Sequence, residues 1–362
     1  MAKKKKSDEE LLENTEVSNE SSETPETGNK GKKKKSEDNA EAPVLSKKFG
    51  KLGDYKAKIN FKDVKYKPQS WINMSPAFKE TTKLPGIPIG HVIMNYGKSD
   101  TGKSTMGLEA AAFAQKQGIL PVFIITENKF SFERGEKMGV DFGEDSCVVY
   151  NGVATIEEGC KYVKETLDAQ EQGVLPYDIL FIWDSIGATP SEKELAKQED
   201  GEGGGGMMVT ARVLREQITR NIGLRINATR NEAYPYNSTL IIINHAYTSP
   251  PKMPGGPSGL EAYGGDGVYL ASTLVFRTGG IVGRSSKVTA TKGGDEFAFA
   301  LKTDLIVQKN HITNVSTSKA KILCTDHGFL LDDKDAIAEY KKDYASDWDL
   351  KYDEYWEALS RE

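Results

Sequence analysis

Eight consecutive residues, Gly97-Lys98-Ser99-Asp100-Thr101-Gly102-Lys103-Ser104, narrow the possible folds more than any other stretch. They read G-x-x-x-x-G-K-[ST], a glycine-rich turn whose backbone N–H groups cradle phosphate oxygens. The flanks agree with that reading. Val92-Ile93-Met94 before the turn is an apolar run suited to a buried strand. Thr105 to Gln117, rich in Ala, Leu and Glu, suits a helix, and Gly118 suits its stop. Strand, loop and helix N-terminus then converge on one point that attracts anions. Residues 97–105 are therefore expected to bind the phosphates of ATP. Lys103 would reach the β- and γ-phosphates, and the Ser104 hydroxyl would hold Mg²⁺.

The chain around this loop spells strand, helix, strand, helix from about 91 to 245. Apolar runs at Pro121 to Ile125, Cys147 to Tyr150, Ile179 to Trp183 and Leu240 to Ile243 alternate with helical stretches such as Thr155 to Glu171. The fold class expected is α/β: a phosphate-loop ATPase core with a mostly parallel sheet flanked by helices. Ile179 to Ser185 is an apolar strand ending in Asp184, whose carboxylate would bind Mg²⁺ across from Ser104. Glu127 follows the Val122 to Ile125 strand, at the end where open α/β sheets bind ligands. It reads either as the base that deprotonates the attacking water or as a solvated loop acid. Asn244-His245 ends another strand and reads as a γ-phosphate sensor or as a strand-end cap.

Two glycine-laden stretches follow core strands. Glu199 to Met208 contains Gly201, then Gly203, Gly204, Gly205 and Gly206, then Met207 and Met208. Tyr247 to Gly267 contains four prolines, Lys252, Met253, Tyr263, Gly264 and Gly265. Both are expected to be long irregular loops that order on a ligand, or else flexible surface loops. Methionine and tyrosine suit stacking on bases. Backbone N–H groups of Gly203, Gly204, Gly205 and Gly206, and the side chains of Arg212, Arg215 and Arg220, suit phosphate contacts. The first loop is itself acidic. Beyond 268, Thr273 to Arg277, Glu296 to Gln308 and Ser318 to Cys324 read as the remaining strands, with Lys309-Asn310-His311 between the last two.

Composition bounds the rest. With 48 basic and 53 acidic side chains the net charge is −5, so attraction to nucleic acid must come from local patches. Residues 1–46 carry two lysine tracts and almost no large apolar side chain, and read as a disordered tail. Residues 47–90 read as an arm leading into the core, packing on a neighbouring subunit or on their own domain. The core is expected over 91–330 and an acidic segment over 331–362. Three scattered cysteines form neither a disulfide framework nor a zinc motif. No apolar run suits a membrane helix, and a reducing, cytoplasmic compartment is expected.

With these residues in hand, the chain resembles the RecA-family recombinases over roughly 70 to 330, and most the phage UvsX-type branch. Gly90-His91 opens the phosphate-loop strand as in the family. Phe123 to Glu127 followed by Met138 to Asp141 is similar to the stretch carrying its catalytic glutamate, which implies that role for Glu127. The family's adenine-contacting positions fall on Ser131 and Arg134. Ile182 to Ser185 resembles its magnesium-binding strand, and Met207-Met208 with Ala211-Arg212 the helix after its first DNA-binding loop. Gly264-Gly265 resembles the close of its second. Ile243 to His245 resembles its switch position, where bacterial members carry Gln and the UvsX type carries His. Lys309-Asn310 resembles the motif that reaches a neighbouring subunit's ATP, with His311 in place of a second lysine. The resemblance implies a DNA-dependent ATPase that forms a helical homo-oligomer on single-stranded DNA, pairs it with duplex DNA and exchanges strands. It also implies a possible loader or single-strand-binding partner, and the host's cytoplasm where the chain is phage-encoded. A hexameric helicase on the same fold and an ATP-binding scaffold remain the competing readings. The loop assignment has a direct consequence. Lys103→Ala should abolish ATP hydrolysis, and undiminished phosphate release by that variant would remove the assignment.

Overall fold

The computed structural model describes residues 56, 58, 68–200, 206–226, 235–250, 258–280, 286–292, 294–317 and 320–344. The expected tail, residues 47–55, 57 and 59–67 of the expected arm, and residues 345–362 lie outside them. So do Gly203, Gly204 and Gly205 of the first expected DNA-contacting loop, and Lys252 and Met253 of the second. Two compact units are delimited, Met1–Asp63 and Val64–Glu362. Of the first, only Lys56 and Lys58 are among the described residues, so the account concerns the second.

Its centre is an eleven-stranded sheet. The parallel half comprises β3 (Val92–Gly97), β4 (Leu120–Ile125), β5 (Val148–Asn151), β6 (Ile179–Asp184), β7 (Ser238–Ser249) and β9 (Leu274–Gly279). They lie in the order β9-β3-β7-β6-β4-β5, each pair parallel. β3 and β6 are buried at every position, as strands covered by helices on both faces must be. One face packs Ile93, Phe123, Ile182 and Ile243 against the helix that follows the phosphate loop. The other packs Met94, Phe181, Trp183 and Leu240 against helices that include Ile156–Glu171. That helix buries Ile156, Cys160, Val163 and Leu167, one apolar stripe at helical spacing. Its N-cap Thr155 accepts from Glu158 N.

The later strands differ in orientation from the parallel half. β11 (Asp295–Asn310) runs antiparallel to β9, β10 (Lys287–Lys292) and β12 (Lys321–Thr325), and β12 pairs antiparallel with β13 (Gly328–Leu330). No link between these consecutive strands exceeds ten residues, shorter than the crossover of about a dozen or more that parallel neighbours need. Lys309 and Asn310 therefore end β11 itself instead of lying between strands. The stretch Tyr247 to Gly267 also corrects an expectation. β7 continues through Ser249 and pairs antiparallel with β8 (Gly259–Ala262), and a helix, Asp266–Ala271, follows. The first glycine-rich stretch is shorter than expected as well. A helix reaches Glu199, and another starts at Gly206 and runs through Leu214 into a π-helical stretch, Arg215–Ile222. Gly206, Met207 and Met208 are thus helical residues, and of the four consecutive glycines only Gly203, Gly204 and Gly205 fall between the two helices.

Before the core, β1 (Trp71–Asn73) and β2 (Gly86–Pro88) form a hairpin around a helix, Pro76–Thr82. A buried carboxylate joins this entry to the core. Glu109 sits on the helix after the phosphate loop and is 4% exposed. Its Oε1 accepts from Ser75 Oγ at 2.7 Å, and its Oε2 accepts from Phe329 N at 2.7 Å. Burial raises its pKa, and those hydrogen bonds pull it back. Ser75 N also donates to Oε1 at 3.4 Å, so Glu109→Ala leaves three donors without that acceptor and is expected to cost about 3 kcal/mol. Denaturant unfolding measures it, and an unchanged midpoint would show that the clamp carries nothing.

Candidate nucleotide-binding site

The loop from Gly97 to Ser104 joins β3 to a helix over Lys103–Gln115, which begins two residues earlier than its composition suggested. Asp100 (φ 57°) and Gly102 (φ 82°) both adopt left-handed backbone, which curls successive N–H groups toward one centre. The loop has no slack against its neighbours. A Cβ on Gly97 would lie 2.4 Å from Thr278 O, and one on Gly102 2.2 Å from Cys324 Sγ. Thr101 Oγ1 bonds Lys98 O at 2.8 Å and Thr278 Oγ1 at 3.0 Å. Lys103 Nζ folds back to donate to Lys98 O at 2.7 Å. Burial pulls its pKa below the ordinary value, against the opposite pull of Asp184, Glu127 and Asp100. A cavity of 510 Å³ opens over the loop, lined by Ser99 to Ser104 together with Glu127, Arg134, Asp184 and His245. Gly97, Lys98 and Thr105 are not among the residues that line it.

Two carboxylates at neighbouring strand ends face this cavity, and their surroundings drive them apart. Burial raises Asp184 to about 6, with the Ser104 hydroxyl bond and Lys103 opposing. Glu127 is held at about 2, first by its hydrogen bond from His245, with burial opposing and the Ser185 hydroxyl assisting. A divergent acid pair in one cleft marks a site with divided roles. Ser104 and Asp184 supply hydroxyl and carboxylate oxygens next to a phosphate cradle. That hard donor set fits Mg²⁺, which keeps most of its own waters.

Glu127 Oε1 accepts from two side chains, His245 Nε2 at 2.7 Å and the Ser185 hydroxyl. An ionised carboxylate only accepts, so the proton of the His245 bond sits on Nε2. The backbone carries the connection onward. Tyr263 N donates to His245 O at 2.8 Å, and Asn244 Nδ2 donates to Tyr263 O at 2.9 Å. The end of the β7–β8 hairpin is thereby tied to the residue bonded to Glu127. Gly264 (φ 83°) and Gly265 (φ 71°) follow, and their missing side chains let the turn seat on Leu214 and Ala211. Those residues belong to the helix that leaves the first glycine-rich stretch. The exits of both stretches thus form one packed unit. Met208 is 82% exposed on that helix, and Arg212 is exposed beside it.

Arg134 lines the cavity but is already engaged. Its Nη2 donates to Thr105 Oγ1 at 2.8 Å and to Thr325 O at 3.1 Å. Lys309 is not in the cavity of its own chain. Its Nζ donates to Tyr269 O at 2.8 Å and lies over the Tyr269 ring. No local residue pattern marks Thr126, the Ser185 hydroxyl, Glu109 or Thr325 as part of the site. Thr126 and Ser185 adjoin the two strand-end acids, and that adjacency was the available signal.

A phosphate loop, a buried strand-end aspartate and a strand-end glutamate on a parallel sheet define a nucleotide-binding α/β core. Residues 42–290, more than half of the chain, match the RecA N-terminal domain family, and the chain belongs to that family. It is similar to the protein named Protein RecA in Desulforapulum autotrophicum, 26% identical over 219 residues, which are 60% of this chain and 59% of that one. It is likewise similar to Protein RecA of Chloroherpeton thalassium, 28% identical over 208 residues, 57% of this chain and 54% of that one. With Protein RecA of Lactococcus lactis subsp. cremoris the match is 27% over 171 residues, 47% of this chain and 41% of that one. The chain thus spans about half the length of these relatives. Among the described residues no helix is long and apolar enough to cross a membrane.

The loop geometry generates its own test. Gly102→Ala adds a methyl group in left-handed backbone and against Cys324 Sγ. It should cost about 2 kcal/mol of stability and weaken ATP binding. Titration with a fluorescent ATP analogue reads the affinity, and unchanged binding would show that the cradle tolerates a side chain there.

Proposed function

We propose that this protein is a DNA-dependent ATPase of the recombinase kind. It assembles head to tail on single-stranded DNA and pairs that strand with homologous duplex. The observation that carries the reading is the path from Glu127 through His245 to Tyr263. It connects the nucleotide cavity to the hairpin that bears the second glycine-rich stretch. An ATPase that only needed to hydrolyse would have no use for such a link. A nucleotide-gated polymer grip needs one. His245 favours the phage UvsX-type branch, which is the branch carrying histidine at the switch position.

In this reading the γ-phosphate of ATP sits between Lys103 and the loop amides. Ser104 and Asp184 would hold Mg²⁺, which supplies charge neutralisation on the β- and γ-phosphate oxygens. Glu127, ionised at neutral pH, accepts a proton from a water as its oxygen bonds to the γ-phosphorus. The bond from the γ-phosphorus to its bridging oxygen breaks, and the electron pair leaves on ADP. Loss of the γ-phosphate then changes what His245 bonds, and the hairpin moves with it. The proposed DNA contacts are Gly203, Gly204, Gly205, Gly206, Met207, Met208 and Arg212 on the first stretch. Lys252 and Met253 are those of the second, which Gly264 and Gly265 close. Lys309, outside its own cavity, is proposed to reach the ATP of the adjoining subunit. A non-closing head-to-tail contact of that sort produces an open helix.

Electron microscopy with single-stranded DNA and a slowly hydrolysed ATP analogue tests assembly. Nucleotide-dependent helical filaments are expected; closed rings would turn the reading toward a hexameric motor. Glu127→Gln should keep ATP affinity and lower DNA-stimulated turnover by about 10²-fold or more. Full turnover in that variant would show that another group is the base.

A further inference from the structure

Glu127 offers water only the oxygen that its partners leave free. Oε1 is taken by His245 Nε2 at 2.7 Å and by the Ser185 hydroxyl. Both donors converge on the same atom, so Oε2 is the oxygen left to receive a proton. Which oxygen is free therefore depends on where the Ser185 hydroxyl points. Ser185 is fully buried and lies just past the end of β6. Its own backbone is gripped by one side chain. Thr126 Oγ1 donates to Ser185 O at 2.7 Å and accepts from Ser185 N at 2.9 Å. The backbone repeats the tie one residue earlier, where Thr126 N donates to Asp184 O at 3.0 Å. Thr189 Oγ1 adds a second bond to Ser185 O at 2.8 Å.

A hydroxyl is the one small group that can donate to a carbonyl and accept from an amide at once. The Thr126 methyl contributes nothing to that pair of bonds. We infer that Thr126 is a positioning residue: its hydroxyl fixes the backbone of Ser185 so that the Ser185 side chain and His245 hold Glu127 Oε1 together, leaving Oε2 toward the attacking water. The inference rests on Glu127 being the base. It adds that the base is aimed by its own neighbour in sequence, through the strand carrying Asp184. Thr126 is not among the residues that line the cavity, so its removal should affect turnover and leave ATP affinity alone.

The test uses the full chain with single-stranded DNA present. Thr126→Val keeps shape and removes the hydroxyl; Thr126→Ser keeps the hydroxyl and removes the methyl. Thr126→Val should lower kcat about tenfold or more, with KM and the affinity for a fluorescent ATP analogue unchanged. Thr126→Ser should recover most of that loss. Combining Thr126→Val with Ser185→Ala should cost little more than either alone, because both break one chain of contacts. Wild-type kcat in Thr126→Val overturns the inference. So does an equal loss of kcat and affinity, or a Thr126→Ser variant as impaired as Thr126→Val. If circular dichroism shows that Thr126→Val does not fold, Ser185→Ala decides: it should show the same kcat loss at unchanged affinity, and wild-type kcat there overturns the inference. Glu127→Gln separates the two layers. If it loses turnover while Thr126→Val does not, only the positioning role fails. If it retains turnover, the base assignment fails and this inference falls with it.

Discussion

One carboxylate oxygen, Oε1 of Glu127, joins the ends of three parallel strands. Glu127 follows β4, Ser185 follows β6 and His245 lies on β7, and all three side chains meet at that atom. Each strand end carries one piece of the site, and none of the pieces is near another in sequence. The bond from His245 lowers the pKa of Glu127 to about 2, and burial raises that of Asp184 beside it to about 6. The same strand ends thus supply a carboxylate that stays charged and another that gains from a cation beside it. Such division comes from surroundings, since the two side chains differ by one methylene.

The meeting of strand ends also connects the cavity to the β7–β8 hairpin. β7 is the long strand of the sheet's parallel half, and its extension past His245 becomes one arm of the hairpin. Any change in the His245 side chain acts on a backbone already bonded to Tyr263. Two residues later the turn rests on the helix leaving the first glycine-rich stretch, with Thr219 Oγ1 bonded to Gly267 O at 3.1 Å. A Cβ on Gly267 would lie 2.9 Å from Arg215 Cα, so these backbones touch directly. Rigid contact of this kind transmits displacement because packed interiors do not compress.

The helix after the phosphate loop is held from several sides. Gly107 lets it approach Ile182 and Ile243 closely, Glu109 fixes it to Ser75 and Phe329, and Thr105 meets Arg134. The cradle therefore inherits its rigidity from the N-terminal hairpin and from the antiparallel edge of the sheet. Membership of the RecA N-terminal domain family agrees with the parallel half, and the match to residue 290 ends before β11 begins.

Much of this was legible in the residue order. The phosphate loop is contiguous, and its chemistry uses backbone amides that spacing alone arranges. Strands buried on both faces announce themselves as unbroken apolar runs, which is why Asp184 and Glu127 could be read as strand-end acids. The antiparallel edge was not legible, because an apolar run has no direction until its partners are known. The loop expected over Tyr247 to Gly267 is narrowed at its ends for a related reason: glycines and prolines mark a break, yet Tyr247 to Ser249 continue a strand that β8 completes, while residues 251–257 lie outside the described residues. What the order of residues determined on its own is the strand, glycine loop and helix around residues 97–104 and the acids at two strand ends, because local spacing controls local backbone. What only the tertiary structure decided is which groups answer one another. Thr126 meets Ser185 across 59 positions, Glu127 meets His245 across 118 and Glu109 meets Phe329 across 220. Those partnerships follow from how the sheet stacks its strands, and no local pattern encodes that stacking.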